Sequence, residues 1–270
     1  MKTKLLSLTL VLMLLLSAVS LWGCEKELTE PYDLMEAAAA KTEALESIHA
    51  EMTTDIKMKI TGISTETSTK MDVKAANLHG DNPVASIDME MSMLGMTVEM
   101  QVYTDKDYAY IDMGELGRYK SPVGEATEDY DAMGDMADML KVIPEELLEG
   151  IEAVENDQGI KTISLALTAE QFRALFADLV DEMVLSLAGE EDDGTFDLTL
   201  SDCYVEATIA PNGYFDSYRL KYGMDLTVAG MKSTAQVDTY IKYISPGESV
   251  TVTPPEGYES FPEMDESLLG

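Results

Sequence analysis

Cys24 and Cys203 are the only thiols in the chain, and His49 and His79 the only imidazoles. A thiol nucleophile needs a base such as histidine beside it, and neither histidine stands in a recognisable catalytic setting. Cys203 lies in Cys203-Tyr204-Val205-Glu206-Ala207-Thr208-Ile209, where alternate residues are apolar. That pattern reads as a small buried hydrophobe. Met89, Met91 and Met93 offer soft thioethers suited to Cu(I). They alternate with Asp88, Glu90 and Ser92, however, as the covered face of a strand would. The runs Glu190-Glu191-Asp192-Asp193-Gly194 and Asp129-Tyr130-Asp131 are rich in oxygen. Neither has the ligand order of an EF-hand loop, so both read as solvated loops. Carboxylate pairs are plentiful, but nothing singles one out for acid–base work. No catalytic residue, metal or cofactor is expected, and the chain reads as non-enzymatic.

Against 51 Asp and Glu stand 18 Lys and Arg, a formal charge of -33. A phosphate-binding face needs clustered basic residues, and the arginines (Arg118, Arg173, Arg219) are scattered. Nucleic acid is therefore not an expected partner. With 46% hydrophobic residues in 270, the chain can bury one large core or two small ones.

Lys2 and Lys4 precede an uncharged Leu-rich run from Leu5 to Trp22, which ends Leu21-Trp22-Gly23-Cys24. The run is long enough to be a signal anchor. Its ending resembles the lipobox of bacterial lipoproteins, although Trp22 is bulkier than the small residue usual there. The resemblance implies a signal peptide over 1–23 and a diacylglycerol on Cys24, which becomes the mature N-terminus. The cell membrane would then be the first partner, on its extracytoplasmic face.

Residues 24–30 form a polar tether. From Asp33 to about Ala50 the composition favours helix, with Leu34, Ala38, Leu45 and Ile48 on one side. The period then changes to two, with Met52, Thr54, Ile56, Met58 and Ile60 alternating with polar residues. Ser64 to Thr69 reads as a Ser/Thr-rich turn, followed by a strand around Met71 to Leu78. Ile87 to Met113 predicts an antiparallel meander, with turns at Leu94-Gly95 and Asp105-Lys106-Asp107. Its apolar side is Ile87, Met89, Met91, Met93, then Met96, Val98, Met100 and Val102. Asp131 to Val142 predicts a short helix bearing Met133, Met136 and Met139. After a strand near Ile160 to Leu167, Thr168 and Gln171 have the spacing of a capping box. The helix they open, Thr168 to Leu187, carries a stripe of Phe172, Leu175, Phe176, Leu179, Val180 and Met183. Strands return at Cys203 to Ile209, at Tyr218 to Val228 (Leu220, Met224 and Leu226 in phase) and at Met231 to Ile244. Residues 255–270 read as a loose acidic tail.

Met89 to Met96 can be laid on Met224 to Met231 without a gap, with Gln101-Val102 on Gln236-Val237 beyond. Either the chain holds two similar halves, each a helix plus meander, or two ordinary hairpins look alike. An acylated Cys, a helix, long antiparallel strands, an amphipathic helical insertion and further strands resemble the LolA/LppX-LprG type of lipoprotein. The stretch Met96 to Tyr103, through Asp107 to Asp112 and Tyr119-Lys120-Ser121-Pro122, is similar to a poorly characterised Gram-positive group of that type. The resemblance implies an α+β domain over 31–254, a curved antiparallel half-barrel sheet wrapped around a few helices. It also implies an apolar cavity for acyl chains and no catalytic residues.

The filling is unusual, with 19 Met against 5 Phe, and flexible thioethers line adaptable grooves as readily as irregular cores. Two functions follow. In one, Met89, Met91, Met93, Met96, Met100, Phe172, Phe176, Leu179, Leu220, Met224 and Leu226 line a cavity for an apolar ligand, a lipid or lipoglycan precursor. In the other, the same residues fill a core, and the protein is an envelope scaffold or sensor that binds a protein partner. Loss of Lys2 and Lys4 makes the mature body more acidic still. An anionic surface repels such a body within about 8 Å at physiological salt, so a carrier needs a locally uncharged mouth or a basic partner.

Overall fold

Alternation of period two runs through most of the chain after Ser47 and builds a single sheet. The computed structural model describes residues 29–60, 62–123, 143–177, 179–180, 196–228 and 231–264. The strands are β1 (Ser47–Ile60), β2 (Ile63–Ala76), β3 (Val84–Met93), β4 (Met96–Thr104), β5 (Tyr108–Asp112), β6 (Arg118–Pro122), β7 (Val154–Glu155), β8 (Lys161–Leu167), β9 (Phe196–Ile209), β10 (Phe215–Val228) and β11 (Met231–Tyr243). Their order is β6-β5-β4-β3-β2-β1-β11-β10-β9-β8-β7, with every neighbouring pair antiparallel. Among the described residues the helices are short: α1 (Pro31–Glu43), α2 (Glu145–Leu148) and α3 (Ala169–Leu175).

The half-barrel expectation survives as a wide open antiparallel sheet, whereas the few helices among the described residues do not show the sheet wrapped around them. Two copies of helix plus meander are likewise not shown among the described residues. Each of β1–β4 and β8–β11 is a meander, but α3 sits inside the second, between β8 and β9, where the first has only the tight β1–β2 turn.

One face of the sheet is largely apolar. Ala50, Met52, Ile56 and Met58 of β1 stand beside Tyr243, Ile241, Val237 and Ala235 of β11. The phase passes through Met71 and Val73 of β2 to Met89 and Ile87 of β3, and on to Met100 and Val102 of β4. On the other side it passes to Tyr218, Leu220, Tyr222, Met224 and Leu226 of β10. A bulge between Lys221 and Gly223 resets the phase on β9, so that Leu198 and Leu200 join Cys203, Val205 and Ala207 on this inner face.

Four local expectations change. The first helix ends at Glu43 instead of near Ala50, because Ile48 is in strand phase with Ala50 and Met52 as well as at helical spacing, and β1 claims it. The Ser/Thr-rich stretch 64–69 is strand, not turn; the chain reverses at Gly62 (φ +91°). Thr is β-branched and favours strands despite its polarity. The apolar stripe following Thr168 has its capping box, but α3 closes at Leu175 and Phe176 adopts a non-helical conformation. Residues 177, 179 and 180 are helical again, while 178 and 181–187, with Met183, lie outside the described residues, as do 131–142, Asp129–Asp131, Glu190–Gly194, Cys24 and the whole of 1–28. Finally, the tail is docked as far as Met264. Tyr258 and Phe261 pack against Tyr103 and Tyr110 on the outer face. The Lys120 N–H donates to Pro262 O, and Met264 N–H to Lys120 O.

Candidate ligand-binding face

On β1 to β4 no inner-face position carries a charge, in a chain with 51 acids. The charges stand on the opposite face and pair there, mostly across strands. Lys57 meets Glu66, Lys70 meets Glu90, and Asp72 accepts from His49 and Lys74 at 2.9 Å. Arg219 Nε and Nη2 donate to the two Asp238 carboxylate oxygens at 2.8 and 2.7 Å. This fork holds the Asp238 carboxyl below its ordinary range.

Coverage of the inner face is uneven. Over β8 to β11 it is closed. Phe172 lies 4.9 Å from Phe176 and 5.1 Å from Tyr222, ring centre to ring centre, which seats α3 on β10. Phe172, Phe176, Val180, Val205, Tyr218, Leu220, Met224, Leu226, Ile241 and Tyr243 are all buried, and Leu179 half-buried. Met35 of α1 and Ile143 complete the cover. Burial pushes the Tyr222 phenol up to about 12 and the Tyr218 and Tyr243 phenols higher still. Among the described residues the Tyr218 and Tyr243 hydroxyls have no hydrogen-bond partner. Cys203 is buried in the same layer, where burial, followed by the nearby Asp202 carboxylate, raises its thiol.

Over β1 to β4 the cover stops partway up the strands. Ala50, Val73, Ile87 and Val102 are buried, Met52, Ile56, Met58, Met71, Met89 and Met100 are half-buried, and beyond them Met91, Met93, Met96 and Val98 are exposed. The expectation that these last four are covered is therefore corrected. They have the right phase, but among the described residues no helix lies over them.

The sequence-predicted residues thus share one face without forming one cluster. Phe172, Phe176, Leu179, Leu220, Met224 and Leu226 belong to the closed part; Met89, Met91, Met93, Met96 and Met100 belong to the open one. From β3 to β10 the sheet crosses four strand spacings, about 19 Å. A rail of hydroxyls escaped the sequence reading. Thr65, Thr67 and Thr69 of β2 are inner-face residues, half-buried, and Thr54 Oγ1 lies 3.2 Å from Thr239 Oγ1 beside them. Their alternation with Ser64, Glu66 and Ser68 was the available signal.

Among the described residues, the cavities open mainly on the polar face. One of about 580 Å³ is lined by Glu51, Lys70, Asp72, Asp88, Glu90 and Arg118 among others. Another of about 660 Å³ lies beside the β9 bulge at Asp202. No group of three or more His, Cys, Asp or Glu among the described residues could hold a metal ion. No described helix is long and apolar enough to cross a membrane.

Comparison with known proteins matches residues 30–244 to a family of unknown function, DUF6612. No curated protein matches the chain. Among solved structures it is similar to LprF from Mycobacterium bovis, at 15% identity and a TM-score of 0.42, over 84% of this chain and 98% of that one. A DUF1329 family protein from Desulfovibrio piger follows, at 10% identity and a TM-score of 0.29, over 81% and 93%. A putative outer membrane lipoprotein-sorting protein domain from Vibrio parahaemolyticus has 8% identity and a TM-score of 0.26, over 80% and 93%. At such scores the likeness carries no argument about ligand or activity.

Proposed function

The chain belongs to the DUF6612 family, and we propose that it is a membrane-anchored extracytoplasmic lipoprotein that holds an amphiphile on the open part of its inner face. The observation that carries the reading is the run of Met89, Met91, Met93, Met96, Val98 and Met100, in core phase yet partly or largely exposed. Apolar side chains left uncovered in a contiguous patch mark a surface that something else covers. Each methylene of an acyl chain laid there contributes about 0.8 kcal/mol. The thioethers adapt to chains of differing length and branching. The Thr65-Thr67-Thr69 rail offers hydroxyls to an ester or sugar. With no cation on this face of β1 to β4, a neutral head group is favoured over a phosphate. The anchor is the Cys24 diacylglycerol, on the strength of the lipobox. No residue is assigned a catalytic role.

The closed part favours a second reading for that region alone. Phe172, Phe176, Leu220, Met224 and Leu226 act there as packed core, as a scaffold would have them. The test is native mass spectrometry of the protein purified from its own host, with displacement of a fluorescent fatty acid. Bound amphiphile and saturable displacement are expected, both weakened by Met91→Glu. Absence of bound lipid and of saturable binding would leave the scaffold reading for the whole molecule.

A further inference from the structure

The turns β1–β2, β3–β4 and β10–β11 all lie at one end of the sheet, because these strand pairs are antiparallel neighbours in the order β4-β3-β2-β1-β11-β10. That end presents Ile60, Ile63, Met93, Leu94, Met96 and Met231, every one exposed. Residues 59–64, 92–97 and 227–232 contain no Asp or Glu, against 51 in the chain, and they include Lys59 and Lys232. We propose that these tips form a membrane-docking rim that dips into the interfacial zone of the lipid bilayer.

Charge selects the bilayer as occupant. A body of this acidity is repelled by anionic head groups at nearly every other orientation, whereas the β1–β2 and β3–β4 tips are neutral to weakly basic. The first carboxylates down β2, β3, β4 and β10 are Glu66, Glu90, Glu99 and Asp225, each four residues from its turn, and Asp197 of β9 stands beside Thr227 of β10.

The turn itself supplies an independent sign. Leu94 has φ +53° and Gly95 φ +81°, so both central residues are left-handed. Such hairpins favour Asn or Asp at the first position, and a bulky apolar residue there is strained. Leu94 is nevertheless 68% exposed. A side chain that neither packs nor suits its backbone is retained for what it meets outside the molecule. The rim also continues directly into Met91 and Val98, so docking would bring the open inner face to the membrane. The proposal does not need a bound ligand.

The depth of single tryptophans tests it, in the whole chain carrying Trp22→Phe, which leaves no other tryptophan. Leu94→Trp, Ile63→Trp and, at the opposite end of the sheet, the exposed Val154→Trp are reconstituted into vesicles of phosphatidylcholine with some phosphatidylglycerol, with and without brominated acyl chains. Emission from Leu94→Trp and Ile63→Trp should shift to the blue and be lost to bromine, while Val154→Trp keeps its emission. Because depth is read, the result does not depend on whether an acyl chain or an apolar segment anchors the protein. Quenching at the tips no greater than at Val154→Trp overturns the proposal. A blue shift without quenching overturns it in favour of a protein surface over the tips. Adding Leu94→Asn to the Ile63→Trp chain should relieve quenching while the thermal midpoint holds or rises. A lower midpoint with undiminished quenching would show Leu94 to be structural and sink its assigned role.

Discussion

Ile87 and Met91 lie on the same face of the same strand, four residues apart; Ile87 is 7% exposed and Met91 40%. Between them the cover over the first meander ends. Four residues of strand advance about 13 Å, so the change from core to open face falls within one side chain, Met89, which is half-buried.

Substitution at these two positions should separate core from surface. Ile87→Asp buries an unpaired carboxylate and should cost about 3 kcal/mol or more. Met91→Asp leaves the charge in water and should cost less than about 1 kcal/mol. Urea denaturation measures both, and equal losses would mean that Met91 is covered.

The closed part should respond as a packed core. Phe172→Ala removes the rings' contact with Phe176 and Tyr222 and should destabilise by about 3–5 kcal/mol. The same variant should leave fatty-acid affinity nearly unchanged, since the ligand is placed four strands away. A loss of affinity matched to a small loss of stability would move the site beneath α3.

The sheet face and the limit of its cover differed sharply in how legible they were. Alternation such as Met89-Glu90-Met91-Ser92-Met93 records which side of a strand faces inward, because a single face must be apolar. It does not record how far a helix reaches over that face, which depends on elements distant in the chain. Ile87 and Met91 therefore look alike in sequence. Thr65, Thr67 and Thr69 were hidden by polarity that imitates a turn. Tyr258 and Phe261 were hidden by the acidic residues around them, although two aromatics suffice to dock the tail on Tyr103 and Tyr110.

Acid should weaken the outer face at one identifiable pair. Arg219 depresses the Asp238 carboxyl, so the group stabilises the fold above its unfolded value near 4 and loses that contribution as pH falls through the depressed folded value. Both partners are partly solvated, so Asp238→Asn should cost about 1 kcal/mol at most near neutral pH. The difference between wild type and variant should shrink only below about pH 4. A difference that stays constant to lower pH would mean that the ionised fork is not its source.

Anchoring should depend on Cys24. Cys24→Ala should appear in the medium or as uncleaved precursor, and detergent partitioning with the apparent size on a gel reads both outcomes. Normal size and normal partitioning would show the Leu5–Trp22 run to be a signal anchor.

Tyr218 and Tyr243 pose the sharpest question about the closed part, because ordinary experience predicts that losing a buried hydroxyl destabilises. Among the described residues neither hydroxyl has a partner, so each carries its desolvation cost without a compensating hydrogen bond there. Tyr218→Phe and Tyr243→Phe should each be neutral or stabilising by about 1–2 kcal/mol, with the core shape unchanged. Burial also raises both phenols, so folded-state stability is fully present below the ordinary tyrosine value near 10 and is lost as pH rises above it. Removing both hydroxyls should therefore move alkaline unfolding to higher pH. Thermal midpoints at neutral pH and an alkaline titration by circular dichroism read the two effects together. If the single variants lose stability, or if they weaken fatty-acid binding while remaining stable, the hydroxyls have a partner in solution and the closed part takes up ligand after all.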